Sequence, residues 1–153
     1  MDSKNPHFLY PGTLFASKNS YQIITILGSC VAVCLWDSLQ EIGGMNHFLL
    51  PLWNGHGLAS PKYGNIAIEK LIDKMISIGS KKRNLQAKIF GGSNVLSLSQ
   101  FFVGKRNIEI AKELLEENSI LIVGQSVGGE LGRKIYFNTQ TGRVYQYYIK
   151  KDS

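Results

Sequence analysis

Between Thr25 and Asp37 two apolar runs are separated only by Gly28-Ser29, and the second, Cys30-Val-Ala-Val-Cys-Leu-Trp36, has no polar face. On an extended chain Cys30, Ala32, Cys34 and Trp36 share one side and Val31, Val33 and Leu35 the other. A strand of this kind needs cover on both sides, so it belongs at the centre of a sheet, with the rest of the chain supplying a layer above and a layer below. After the polar turn Asp37-Ser-Leu-Gln-Glu41, a further apolar run, Ile42-Gly-Gly-Met-Asn-His-Phe-Leu-Leu50, closes at Pro51.

The flanking sequence provides candidates for those layers. Residues 12–17 and 21–27 read as strands joined by Lys18-Asn19-Ser20. Asn65 is placed to cap a helix over residues 66–78, with Ile68, Leu71, Ile72, Met75 and Ile76 as one apolar stripe and Gly79 as its stop. A short strand at 87–90 breaks at Gly91-Gly92-Ser93-Asn94. A second helix, from about residue 106 to 117, turns Ile108, Ile110, Ala111, Leu114 and Leu115 inward and ends at Asn118. Residues 119–123, 133–137 and 143–150 read as strands, the last two joined by Asn138-Thr-Gln-Thr-Gly142. About seven strands and two helices predict an α+β fold of mixed sheets.

The chain has 153 residues, 44% of them hydrophobic, which is enough for one core and one domain. Its net charge of +6 favours acidic partners. The basic residues are scattered, with no block longer than Lys81-Lys82-Arg83 and no aromatic-basic signature, so a dedicated nucleic-acid module is not expected. The start, Met1-Asp-Ser-Lys-Asn-Pro-His7, has no basic segment leading into an apolar one, and no run approaches the ~18 apolar residues of a membrane span. A cytoplasmic protein without membrane insertion is expected. Cys30 and Cys34, about 13 Å apart on one strand, exceed the ~7 Å reach of a disulfide and are expected as free thiols.

Three kinds of chemistry can be weighed. Neither glycine-rich phosphate motif occurs, so Gly91-Gly92 and Val127-Gly-Gly-Glu-Leu-Gly132 read as tight turns that can shape the walls of a site. Cys30, Cys34, His47 and His56 have the spacing C-x3-C-x12-H-x8-H, whose last interval is too long for a zinc knuckle; no metal site is expected. Nucleophilic catalysis needs a thiolate, a base, an orienting group and donors for an oxyanion. Cys30 and His47 fit the first two roles, the N–H groups of Ser29 and Cys30 after Gly28 fit the last, and a nearby imidazole would lower the thiol pKa. The other reading is that both cysteines are core packing and His47 a satisfied core histidine, and pattern alone favours it. Residues 52–63, rich in Gly, Pro, Asn and His, could border a site.

At these residues the sequence closely resembles the CheD family of chemoreceptor glutamine deamidases. The resemblance rests on Thr25-Ile-Leu-Gly-Ser-Cys30-Val-Ala-Val-Cys-Leu-Trp-Asp37 and Gly43-Gly-Met-Asn-His47-Phe-Leu-Leu-Pro51. It continues through Tyr63-Gly-Asn65, Phe90-Gly-Gly92, Val103-Gly-Lys-Arg-Asn107, Val127-Gly-Gly129, Gly132-Arg-Lys134 and Thr141-Gly142. It implies one domain over residues 1–153 with a fold like that of certain glutamine-deamidating toxins, two mixed sheets flanked by helices in α/β/β/α layers. It also implies deamidation of receptor glutamines to glutamate, in some members with methylesterase activity, and no metal or organic cofactor. By motif, Cys30 is the nucleophile, His47 the base and Thr25 the orienting residue. Some members place that threonine where this chain has Ile24, and a bulge near Leu27-Gly28 is one way to bring Thr25 round to His47. The implied partners are receptor cytoplasmic domains and, in some bacteria, the phosphatase CheC, which leaves a binding adaptor as the rival to an enzyme.

Overall fold

The computed structural model describes residues 5–94 and 98–150. Nine strands and two α-helices occur among them, in the order β1 (Pro6–Phe8), β2 (Leu14–Ser17), β3 (Gln22–Leu27), β4 (Val31–Asp37), β5 (Ile42–Asn46), α1 (Gly64–Ser77), β6 (Leu85–Gly91), α2 (Leu98–Glu117), β7 (Leu121–Val127), β8 (Gly132–Asn138) and β9 (Val144–Ile149). Two mixed sheets result, one ordered β1-β3-β8-β9 and the other β2-β5-β4-β6-β7. The fold is α+β, and the doubly apolar strand β4 lies in the middle of the five-stranded sheet.

Each face of β4 feeds a different core. Ala32 and Cys34 pack with Ile23, Leu27, Met45, Ile135 and Phe137 between the two sheets. Val31, Val33 and Leu35 pack with Phe48 and the inward residues of α1 and α2. Both helices contribute to this second core, so the layers among the described residues run β/β/α, not with a helix outside each sheet. The connectivity explains it: α2 is the crossover between the parallel neighbours β6 and β7, and α1 precedes β6, so both return to the same sheet. On the four-stranded sheet, the register puts Tyr145 and Tyr147 on the outer side with Tyr136 and Lys134.

The helix ends differ in detail from expectation. α1 begins at Gly64, without a side-chain cap, because Tyr63 is held in a parallel bridge to Leu50 and Gly64 lies under the Phe48 ring. Asn65 does not cap the helix; its Oδ1 accepts from the Trp53 N–H. Gly79 ends α1 at φ 125°, and Ile76, expected inward, is exposed. Asn118 closes α2 by donating to the Leu114 carbonyl, and Ser119 takes the left-handed turn. The strand expected at 119–123 begins two residues later and continues to Val127, and β1 was not anticipated.

Candidate active site

Cys30 immediately precedes β4 and is half-buried against the inter-sheet core. Three contacts fix the turn that carries it. The Gly28 carbonyl accepts from both the backbone N–H and the Oγ of Ser93, each at 2.9 Å. The Ser29 carbonyl accepts from Asn107 Nδ2 at 3.0 Å, and the Cys30 carbonyl from the Gly92 N–H at 2.8 Å. Gly91 and Gly92 make the close approach possible: both have positive φ, and a Cβ on Gly91 would run into the Cys30 carbonyl.

His47 arrives on the neighbouring segment. Cys34 pairs with Met45, and Val31 bridges to Phe48, so the same register sets His47 across from Ala32 and Leu49 across from Cys30. His47 therefore points to the inter-sheet side, diagonal to Cys30, at a separation that side chains can bridge. It is 2% exposed. Asn46 opens the ladder beside it, its Oδ1 accepting from the Val33 N–H in place of a backbone carbonyl.

Thr25 reaches His47 from the other sheet. β3 runs against β8 in continuous register from Gln22 to Leu27, with no bulge, and Thr25 faces inward between Ile23 and Leu27. Ile24 falls on the opposite face. The Thr25 Oγ1 lies 2.7 Å from His47 Nδ1 and 2.8 Å from the Leu9 carbonyl. A carbonyl can only accept, so the one hydroxyl hydrogen goes to Leu9, and Oγ1 must accept from Nδ1–H. This donor count fixes the tautomer: Nε2 carries the free lone pair. Nε2 is buried and has no hydrogen-bond partner among the described residues, so Cys30 Sγ is not bonded to it at rest.

The electrostatics agree with a neutral resting pair. Burial pulls the His47 pKa down from 6.5 to about 4, so the ring is an uncharged base at neutral pH. Burial also raises the Cys30 pKa, opposed by a hydrogen bond from its own backbone N–H. The expected lowering of the thiol pKa by the imidazole is therefore absent from the resting geometry, because an uncharged ring has no charge to offer a thiolate. Cys34 is buried at mid-strand, and burial pushes its thiol up further still.

Two buried polar residues that the sequence reading did not assign to the site flank it. Asn107 ties Ser29 to Leu49 from α2. Arg133 donates to the carbonyls of Gly91, Ser126 and Gly128, holding the glycine turns behind Cys30 in place. Their signal in the sequence was a polar side chain within an apolar helix or strand pattern. The loop at 52–63 is anchored next to Cys30, since the Lys62 carbonyl accepts from both Leu49 and Leu50 N–H groups. His56 sits on this loop, exposed, with its backbone N–H bonded to Asn54 Oδ1. Among the described residues, no group of three or more His, Cys, Asp or Glu side chains is arranged to hold a metal ion, and no helix is long and apolar enough to cross a membrane.

Comparison with known proteins gives a consistent picture. A family model described as CheD chemotactic sensory transduction matches residues 49–147. A protein of Trichlorobacter lovleyi named "Probable chemoreceptor glutamine deamidase CheD" is 54% identical over 140 residues, covering 90% of this chain and 87% of that one. A protein of Sulfurimonas denitrificans with the same name is 49% identical over 147 residues, covering 94% of each. One of Methylobacillus flagellatus, again so named, is 38% identical over 149 residues, 94% of this chain and 73% of the relative. The family match begins after His47, but spans this long necessarily include residues 25–47.

Proposed function

The chain belongs to the CheD family, and from that premise we propose that it is a chemoreceptor glutamine deamidase whose chemistry is carried by Cys30, His47 and Thr25. The observation that supports this most is the hydrogen bond from His47 to Thr25, which leaves an unprotonated, unpartnered Nε2 on the same side of the sheet as the Cys30 thiol.

His47 Nε2 takes the proton from the Cys30 thiol as Sγ attacks the side-chain amide carbon of a receptor glutamine. The N–H groups of the Ser29-Cys30 turn receive the oxyanion. The imidazolium returns its proton to the departing ammonia, leaving a thioester on Cys30. Water then gives a proton to His47 and attacks the thioester. Collapse of that intermediate frees glutamate, and the proton returns to sulfur. Thr25 holds the ring throughout, accepting from Nδ1–H, in the place a carboxylate takes in other triads. Because the resting pair is neutral, the proton moves with the attack and not before it.

The reaction uses no cofactor. Hydrolysis of a methyl ester at the same receptor positions follows the same steps with methanol as the leaving group, which makes accessory methylesterase activity part of the proposal. The partners are receptor cytoplasmic domains and, where the cell has it, CheC; the reaction then takes place in the cytoplasm. The net charge of +6 favours docking on an acidic receptor surface.

The test is to incubate the protein with a receptor signalling domain and follow glutamine-to-glutamate conversion by mass spectrometry. Conversion by wild type and none by Cys30→Ala is the expected result. Binding without conversion would leave the adaptor reading in its place.

A further inference from the structure

Asn107 lies on α2, entirely buried, on the far side of the five-stranded sheet from His47. Its Nδ2 donates to two carbonyls, those of Ser29 and Leu49, at 3.0 Å each. Both partners can only accept, so the amide orientation is settled and both of its hydrogens are used. Its Oδ1 is buried with no hydrogen-bond partner among the described residues. An apolar side chain would avoid leaving that oxygen unsatisfied, so the two donors are what the position requires.

Those donors sit where the sheet opens. Val31 and Phe48 exchange both ladder bonds, at 3.1 and 2.9 Å. One residue further the strands part, because the N–H groups of Leu49 and Leu50 turn to the Lys62 carbonyl instead. Ser29 precedes Cys30, and Leu49 lies two residues beyond His47 and across from Cys30. The amide of Asn107 therefore spans the fork between the segment bearing the thiol and the segment bearing the imidazole. A trans peptide points its C=O and N–H in opposite directions, so holding the Ser29 carbonyl toward α2 turns the Cys30 N–H away from it. Among the described residues no backbone carbonyl accepts from that N–H.

We propose that Asn107 is a positioning residue for the deamidation: it sets the width of the fork and the orientation of the Ser29-Cys30 peptide, and through them the thiol and its oxyanion donor. This rests on Cys30 being the nucleophile.

The experiment compares two reactions of the same thiol. Alkylation of Cys30 by iodoacetamide needs an accessible thiol but neither an oxyanion donor nor an aligned base, whereas conversion of a receptor domain needs all three. Asn107→Ala and Asn107→Asp are measured in both, with thermal unfolding as a control. The expected outcome is a folded protein alkylated at close to the wild-type rate, with kcat down about 100-fold and KM little changed. Asn107→Asp, isosteric but without the donors, should lose at least as much as Asn107→Ala. Should these variants unfold, Asn107→Ser, which keeps one donor in a smaller side chain, is read in the same way. A folded variant that keeps its kcat overturns the proposal, and so does a parallel fall in alkylation, conversion and melting temperature, which marks a structural role only. Cys30→Ala separates the two levels of the argument. If it converts as wild type does, the nucleophile is wrong; if it is inactive while Asn107→Ala is not, only the role of Asn107 fails.

Discussion

Cys30 and Cys34 stand four residues apart on the same side of the same chain segment, face the same inter-sheet core and are both raised in pKa by burial, yet they differ in exposure and in the backbone around them. Cys34 is paired on both sides, with Met45 and Lys88, and its thiol is buried between the sheets with the Lys88 ammonium as a nearby charge. Cys30 lies just beyond the last closed rung of the ladder, where a double glycine, Ser93 and Asn107 replace regular strand neighbours. Residue type and face are the same for both. What separates them is the place where the sheet stops pairing, for only there can backbone N–H groups and a side chain be aimed at something other than the next strand.

The most severe way to break this comparison is to remove each thiol in turn. Cys30→Ala should lower conversion of a receptor domain by at least about 1000-fold, while Cys34→Ala stays within about threefold of wild type. Loss of activity in a folded Cys34→Ala protein would show that the contrast is misplaced. Next in size is Thr25→Val, which keeps the shape and removes the acceptor for Nδ1–H. The orienting bond is worth roughly 1–3 kcal/mol, so kcat should fall about 5- to 150-fold with KM nearly constant. A wild-type kcat in that variant would mean that another group orients His47.

A third prediction concerns pH. The His47 pKa is near 4 in the folded protein and 6.5 in the unfolded chain, so below 6.5 the unfolded state binds protons that the folded state refuses. The stability held above pH 6.5 should decline as the pH falls toward 4, by a total of about 3 kcal/mol from this group. Denaturant unfolding of wild type and His47→Gln across that range checks it, since the substitution should flatten the slope. The smallest effect is Cys34→Ala itself, whose cavity should cost about 1–2 kcal/mol and leave the pH slope unchanged.

How far the sequence foretold this depends on the range of the forces involved. β4 was visible because apolar alternation is local, and the stripes of α1 and α2 were visible for the same reason, apart from Ile76 at the exposed end of its helix. The pairing of Thr25 with His47 was not derivable from spacing. It joins a strand of one sheet to the residue that follows β5 in the other, and only the register of β3 against β8, together with the packing of the sheets, decides which face Thr25 presents. The bulge that sequence reasoning allowed for is unnecessary because Thr25 already shares the inward face of Ile23 and Leu27. Asn107 was harder still, since a buried amide on a distant helix carries no local sign of which carbonyls it will bind. The thiol pKa was misjudged because burial of the thiol itself raises it, and an imidazole left uncharged by its own burial does not offset that.

The account centres on an uncharged His47 held by Thr25 through Nδ1–H with Nε2 free to take the thiol proton. Nitrogen-15 NMR of the imidazole in the free enzyme tests this most directly, because it reads charge and tautomer together. At pH 7 the ring should be neutral, protonated at Nδ1, and should titrate only well below its ordinary value of 6.5. A doubly protonated ring at pH 7, or a neutral one carrying its proton on Nε2, would contradict it.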